Sequence, residues 1–165
     1  MEQNQKLLSL CEAPWVVKCD EIIPESILRD AIILDGLNMS SSEEFHDEIS
    51  KKFNFPYYGK NNNALRDNLT DLSWLPKDRY VVVIKSAEAI LSKEVCEILD
   101  GFFEVLSDVA EEWSISVEQG EEWDRPSIPF HTVMLIPENF NAEFSRSIPV
   151  INFLTSSKNG PPIID

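Results

Sequence analysis

Glycine is scarce, with five in 165 residues. No Gly-rich phosphate loop is present; the nearest stretch, "YYGKNNN" at 57–63, lacks a second glycine, and no Gly-x-Ser-x-Gly elbow occurs. Cysteine numbers three (Cys11, Cys19, Cys96), an odd count without framework spacing, which argues against a disulfide scaffold. Histidine is rarer still. His46 lies among acids in a helical stretch and His131 in a strand-like one, neither with partners at ligand spacing, so no metal site and no cofactor are expected. Apolar runs fall short of the ~18 residues a membrane span needs. The opening "MEQNQKLLSLCEAP" has no long apolar core or cleavage pattern, so a soluble, reduced, cytoplasmic protein is expected. Bases are outnumbered 14 to 29, leaving a net charge of −15. Such a chain repels nucleic acid and anionic membranes and attracts cationic partners, although acidity also serves solubility.

What is there suits an α/β domain. A chain of this length can bury ~70% of its unfolded surface, and 43% hydrophobic residues rule out disorder. A single domain over 1–165 is expected. "PWVVKC" (14–19) reads as a short strand, and the apolar run at 31–34 reads as a strand covered on both faces. "SSEE" (41–44) has capping-box spacing, and Phe45, Ile49 and Phe53 then recur every four residues as an inner helical stripe. Pro56 ends that helix. "RYVVVI" (79–84) is a β-branched strand. From 94 to 113 runs a long helix with Val95, Leu99, Phe102, Leu106, Val109 and Trp113 inside. Its second stripe, Glu97, Asp100, Glu104, Asp108 and Glu111, is wholly acidic, and like charges at that spacing cost a few tenths of a kcal/mol per pair. Cys96, beside the inner stripe, reads as a buried structural thiol. An acidic loop with a short strand at 114–117, a strand at 129–136 and a further candidate, "PVINFL" (149–154), complete the pass. Strands alternating with helices favour a small parallel sheet.

One stretch stands apart: "YYGKNNNALRDNLTDL" (57–72). Leu65, Leu69 and Leu72 recur at steps of four and three and face inward, which turns Asn63, Arg66, Asp67 and Thr70 outward. One asparagine suffices to cap the helix start, so three in a row leave a surplus.

"FPYYGKNNNALRDNLTDLSWLP" (55–76) resembles the barstar family, intracellular inhibitors of barnase-type ribonucleases. The likeness lies in a Pro, Tyr-Tyr-Gly, an Asn, Ala-Leu and an Asp, closed by Pro76 without a gap from Tyr57. With the order of elements it covers roughly 30–137, leaving extensions at 1–29 and 138–165. The resemblance implies a three-stranded parallel sheet flanked by helices; "PWVVKC" and "PVINFL" read as extra N- and C-terminal strands outside it, and the unbroken apolar runs with helices between them put the strand from 31 in the centre. It implies no enzyme, but an inhibitor or immunity protein that blocks the active site of a cationic ribonuclease toxin. Tyr57, Gly59, Asn61 and Asn62 would form the contact loop. Asp67 would occupy a substrate phosphate site, Thr70 would lie one turn on, and Asp108 would be a second acidic contact.

Two positions depart from the family pattern. Asn63 stands where the family has a second acid, and Arg66 where it usually has tryptophan. An arginine facing a cationic cleft at ~4 Å loses ~4 kcal/mol at an effective dielectric of about 20, enough to exclude barnase as a good partner. Either the partner carries an acid opposite Arg66, or Arg66 folds back onto its own helix. The first makes Arg66 a specificity device for a different toxin, with the surplus asparagines as hydrogen-bonding contacts. The competing readings are an interaction module whose partner is not a nuclease, and a small enzyme, which would need titratable groups gathered in a pocket.

Overall fold

Tyr80 to Ile84 are five consecutive buried residues, and so are Phe130 to Met134. Only interior strands of a covered sheet bury such runs, and these two form its centre. The computed structural model describes residues 2–20, 22–137 and 147–153. Its elements are α1 (Glu2–Leu7), β1 (Val16–Cys19), α2 (Glu25–Leu28), β2 (Ile32–Asp35), α3 (Ser42–Phe53), α4 (Asn62–Asp71), β3 (Tyr80–Lys85), α5 (Cys96–Trp113) and β4 (Phe130–Leu135). The sheet runs β1-β4-β3-β2, with every pairing parallel.

Two expectations are corrected here. The sheet has four strands rather than three, because β1 pairs Val16 to Cys19 with Thr132 to Leu135 along β4. The strand from 31 is also an edge strand, not the central one. Ile32 and Leu34 are buried while Ile33 is only half-buried, the alternation of a strand with one neighbour. The C-terminal candidate contributes a single parallel bridge between Val150 and Lys18, flanked by Lys18 N donating to Pro149 O (2.9 Å) and Ile151 N to Lys18 O (2.8 Å). Its last residue, Leu154, lies outside the described residues.

The period-2 alternation of the strands divides the core between two faces. Ile32, Leu34, Tyr80, Val82, Ile84, Phe130 and Met134 pack against the inner stripes of α3, α4 and α5. Val81, Val83 and Val133 point the other way and meet Leu8, Ile23, Ile27, Ile151 and Phe153. The flanking segments therefore cover the sheet's second face.

The helices end as their sequences direct. Ser41 caps α3 by accepting from Glu44 N, but the Glu44 carboxylate turns to Ser40 and Lys93, so the capping box is half formed. Asn54 closes α3 in the left-handed conformation, at φ 53°. α5 starts two residues later than the periodicity predicts. Val95 is its exposed N-cap residue and Cys96 is exposed, so the reading of a buried thiol fails at that helix start. From Leu99 to Trp113 the inner stripe is buried as expected. Residues 114–117 form no strand; Val117 makes one antiparallel bridge with Arg125. Among the described residues no helix is long and apolar enough to cross a membrane.

Candidate functional site

α4 is presented by two anchors, one beneath it and one before it. Beneath, Leu65, Leu69 and Leu72 are buried against the sheet and α5, and the buried Trp113 donates from Nε1 to Leu69 O (2.7 Å). Before it, the loop from Pro56 to Asn61 is pinned to α3 on both sides of its glycine. Tyr58 turns inward, its ring 4.9 Å from Phe55, and its hydroxyl bonds His46 Nδ1. Lys60, held at φ 51°, pairs with Asp47 at 2.8 Å.

The electrostatics of the His46–Tyr58 bond are consistent. Burial pushes the His46 imidazole below the ordinary histidine value, Lys60 adding to the effect and Asp47 opposing it. Burial also raises the Tyr58 phenol. A neutral imidazole and a protonated phenol can share this bond in either direction, the tautomer of His46 deciding which group donates.

The predicted contact residues then fall as follows. Tyr57 points outward and is 85% exposed, the opposite disposition to its neighbour Tyr58. Gly59 and Asn61 lie in the exposed loop, where Asn61 is spent on structure: its Oδ1 accepts from Ala64 N (2.8 Å) and its Nδ2 donates to Gly59 O (3.2 Å). Asn62 and Asn63 are exposed, so the surplus asparagines are surface groups on the first turn of α4. Asp67 is exposed one turn further on. Thr70 is half-buried, and its hydroxyl donates to Arg66 O (2.9 Å).

Arg66 does not fold back onto its own helix. It reaches across the helix pair to α5, where Nη2 meets Asp108 Oδ2 at 2.7 Å with both side chains roughly half exposed. Asp108 is thus brought beside α4 but is already engaged. The other stripe residues, Glu97, Asp100, Glu104 and Glu111, are exposed along the same helix. Asp67 and, one turn on, Asp71 are left as the carboxylates of α4 without a side-chain partner among the described residues, Asp71 accepting only from Ser73 N (3.3 Å); Asp67 is flanked by a neutral ion pair and an acidic ridge.

A model of the family described as Barstar (barnase inhibitor) matches residues 29–134. The chain belongs to the barstar family. It is also 31% identical over 88 residues to the Bacillus subtilis (strain 168) protein named "Putative ribonuclease inhibitor YrdF", an alignment covering 53% of this chain and 97% of that protein. The barstar match takes in β2, β3, β4 and all of the α3–α5 face. β1 and residues 147–153 lie outside it.

Sequence reasoning missed the parts that hold the barstar loop in place. The His46–Tyr58 and Lys60–Asp47 contacts span 12 and 13 residues, with no spacing rule to reveal them. Asn68 is a third such part, since its Nδ2 donates to both Tyr57 O (3.2 Å) and Ala64 O (2.9 Å), tying the loop to the helix. Its position on the inward-turned side of α4 was the available signal.

Proposed function

We propose that this chain is a cytoplasmic inhibitor or immunity protein that seats α4 and its preceding loop in the active-site cleft of a cationic ribonuclease toxin. Asp67 carries the reading. It is an exposed carboxylate on a helix braced from below and from its N-terminal side, so little backbone or loop entropy remains to be lost on docking. A ribonuclease cleft is cationic because it holds phosphates, and a single fixed carboxylate there substitutes for one of them. Tyr57, Gly59, Asn62 and Asn63, exposed on the preceding loop and the first turn of α4, add aromatic and hydrogen-bonding contacts, and Asn61 shapes the loop. The protein has no catalytic role on this reading.

Arg66 and Asp108 act as a unit. The arginine's charge is offset at 2.7 Å, so the full ~4 kcal/mol repulsion expected of a bare arginine does not arise. The second acidic contact is withdrawn at the same time. That combination supports a toxin whose cleft differs from barnase's at this point, with the pair as the specificity element. The same observation favours a second reading, a barstar-family module whose partner is not a nuclease.

Co-expression with a panel of cationic ribonuclease domains separates the two. Protection of cellular RNA, with a one-to-one complex isolated from the protected cells, is the expected result. Failure to bind or protect across the panel would hand the lead to the second reading.

A further inference from the structure

Trp123 is a large aromatic left 64% exposed in the acidic segment that follows α5. Residues 118–124 carry Glu118, Glu121, Glu122 and Asp124 and no base. The segment is nonetheless built. Val117 and Arg125 exchange backbone hydrogen bonds of 2.9 and 3.1 Å at its base. The Asp124 carboxylate accepts from Gln119 N (2.9 Å) and Gly120 N (2.7 Å), closing the tip. Trp123 Nε1 donates to Gln119 Oε1 (3.1 Å), which steadies the indole. Arg125, the base next in sequence, is turned inward, with its guanidinium 4.0 Å from the centre of the Trp113 ring and bonded to the Glu112 carbonyl (3.3 Å). The root is stitched to α5 while the tip offers an indole ringed by acids.

The tip also shares a groove with α4. An open groove of about 410 Å³ is lined by Thr70 and Asp71 from α4, Trp113 from α5, Trp123, and two bases, Lys77 and the inward-turned Arg125. Thr70 belongs to the proposed docking face, one turn beyond Arg66. We infer that the 118–124 tip, with Trp123 at its centre, is a second docking element for the same cationic protein that α4 receives. The inference rests on the inhibitor reading. Charge complementarity selects the occupant: an anionic tip beside an anionic helix face, on a chain of net charge −15, repels nucleic acid and acidic proteins alike. A rigid aromatic with few rotamers, surrounded by polar groups, has the make-up of an interface anchor.

The test is binding kinetics of the full chain against catalytically inactivated ribonucleases, a barnase-type enzyme and a panel of cationic ribonuclease toxin domains. Wild type, Trp123→Ala, Glu121→Gln/Glu122→Gln and Asp67→Ala are compared, with thermal midpoints confirming that each is folded. Trp123→Ala is expected to weaken binding by about 30-fold or more, mainly in dissociation. The double glutamine variant is expected to slow association, with the difference shrinking at high salt. If Asp67→Ala weakens binding and Trp123→Ala leaves both rates unchanged, the second docking element is overturned and the inhibitor reading stands. If wild type binds no member of the panel, both fall together.

Discussion

Arg66 and Asp108 are 42 residues apart in sequence and 2.7 Å apart in space. No spacing rule connects them, which is why reading α4 alone offered Arg66 only its own helix or a partner. Their bond is a half-exposed one, and such pairs add only ~0.2–1 kcal/mol to stability. Asp108→Asn should therefore lower the unfolding free energy by less than about 1 kcal/mol in urea titration while leaving Arg66 uncompensated at the docking face. Arg66→Trp should weaken binding to the cognate toxin and improve binding to barnase-type ribonucleases; the reverse pattern in binding kinetics would remove Arg66 as the specificity element. The two histidines set a pH dependence. Burial lowers both His46 and His131 from the ordinary 6.5, although in His131 the Leu10 and Pro14 carbonyls pull the other way. A depressed histidine stabilises the fold above its unfolded value and loses that contribution as pH falls through the folded one. Thermal midpoints should thus drop as pH is lowered from 7 through 6 and below, and the drop should shrink in His46→Gln. A midpoint that rises with acidification contradicts the assignment.

At the scale of elements, inner stripes were legible and boundaries less so. Four-residue spacing located α3 and α4 because a helix must bury one stripe, and Phe45, Ile49, Phe53, Leu65 and Leu69 are all buried. The same rule misplaced Val95, since a residue before the first helical turn has no stripe to belong to. The place of β2 was not legible, because 31–34 is as apolar as 81–84. What separates them is that β3's buried run extends to Tyr80, and that its partners on both sides come from distant parts of the chain. The α4–α5 junction yields a prediction of its own. Trp113→Phe keeps an aromatic ring but leaves the buried Leu69 carbonyl without its donor, at a cost of ~1–3 kcal/mol in unfolding free energy, to which the space left by the indole's second ring adds a cavity cost. An unchanged urea midpoint would mean that α4 is held by packing alone. On the outer face of α5, neutralising Glu97 and Glu104 should slow association more than it speeds dissociation. Screening beyond ~8 Å at about 0.15 M ionic strength should shrink the effect with salt.

For the whole molecule, the flanks complete a fold whose site lies elsewhere. β1 extends the sheet beyond β4, and Leu8, Ile151 and Phe153 cover Val81, Val83 and Val133 on the face opposite α3–α5, so one domain spanning core and flanks is our proposal. Deleting residues 1–20 should expose that apolar face and the β4 edge, giving a chain that aggregates or melts well below the intact one. A truncated chain as stable and monomeric as the full one would show the extensions to be separate. The barstar face itself should then survive in any shortened chain that still folds. The proposed inhibition depends on Asp67, and the dissociation rate of its alanine variant is the most direct test. Against the ribonuclease that wild type neutralises, Asp67→Ala should dissociate faster by the equivalent of ~2–5 kcal/mol and lose protection of co-expressing cells. Full protection with an unchanged dissociation rate would contradict the account and place the interface away from α4.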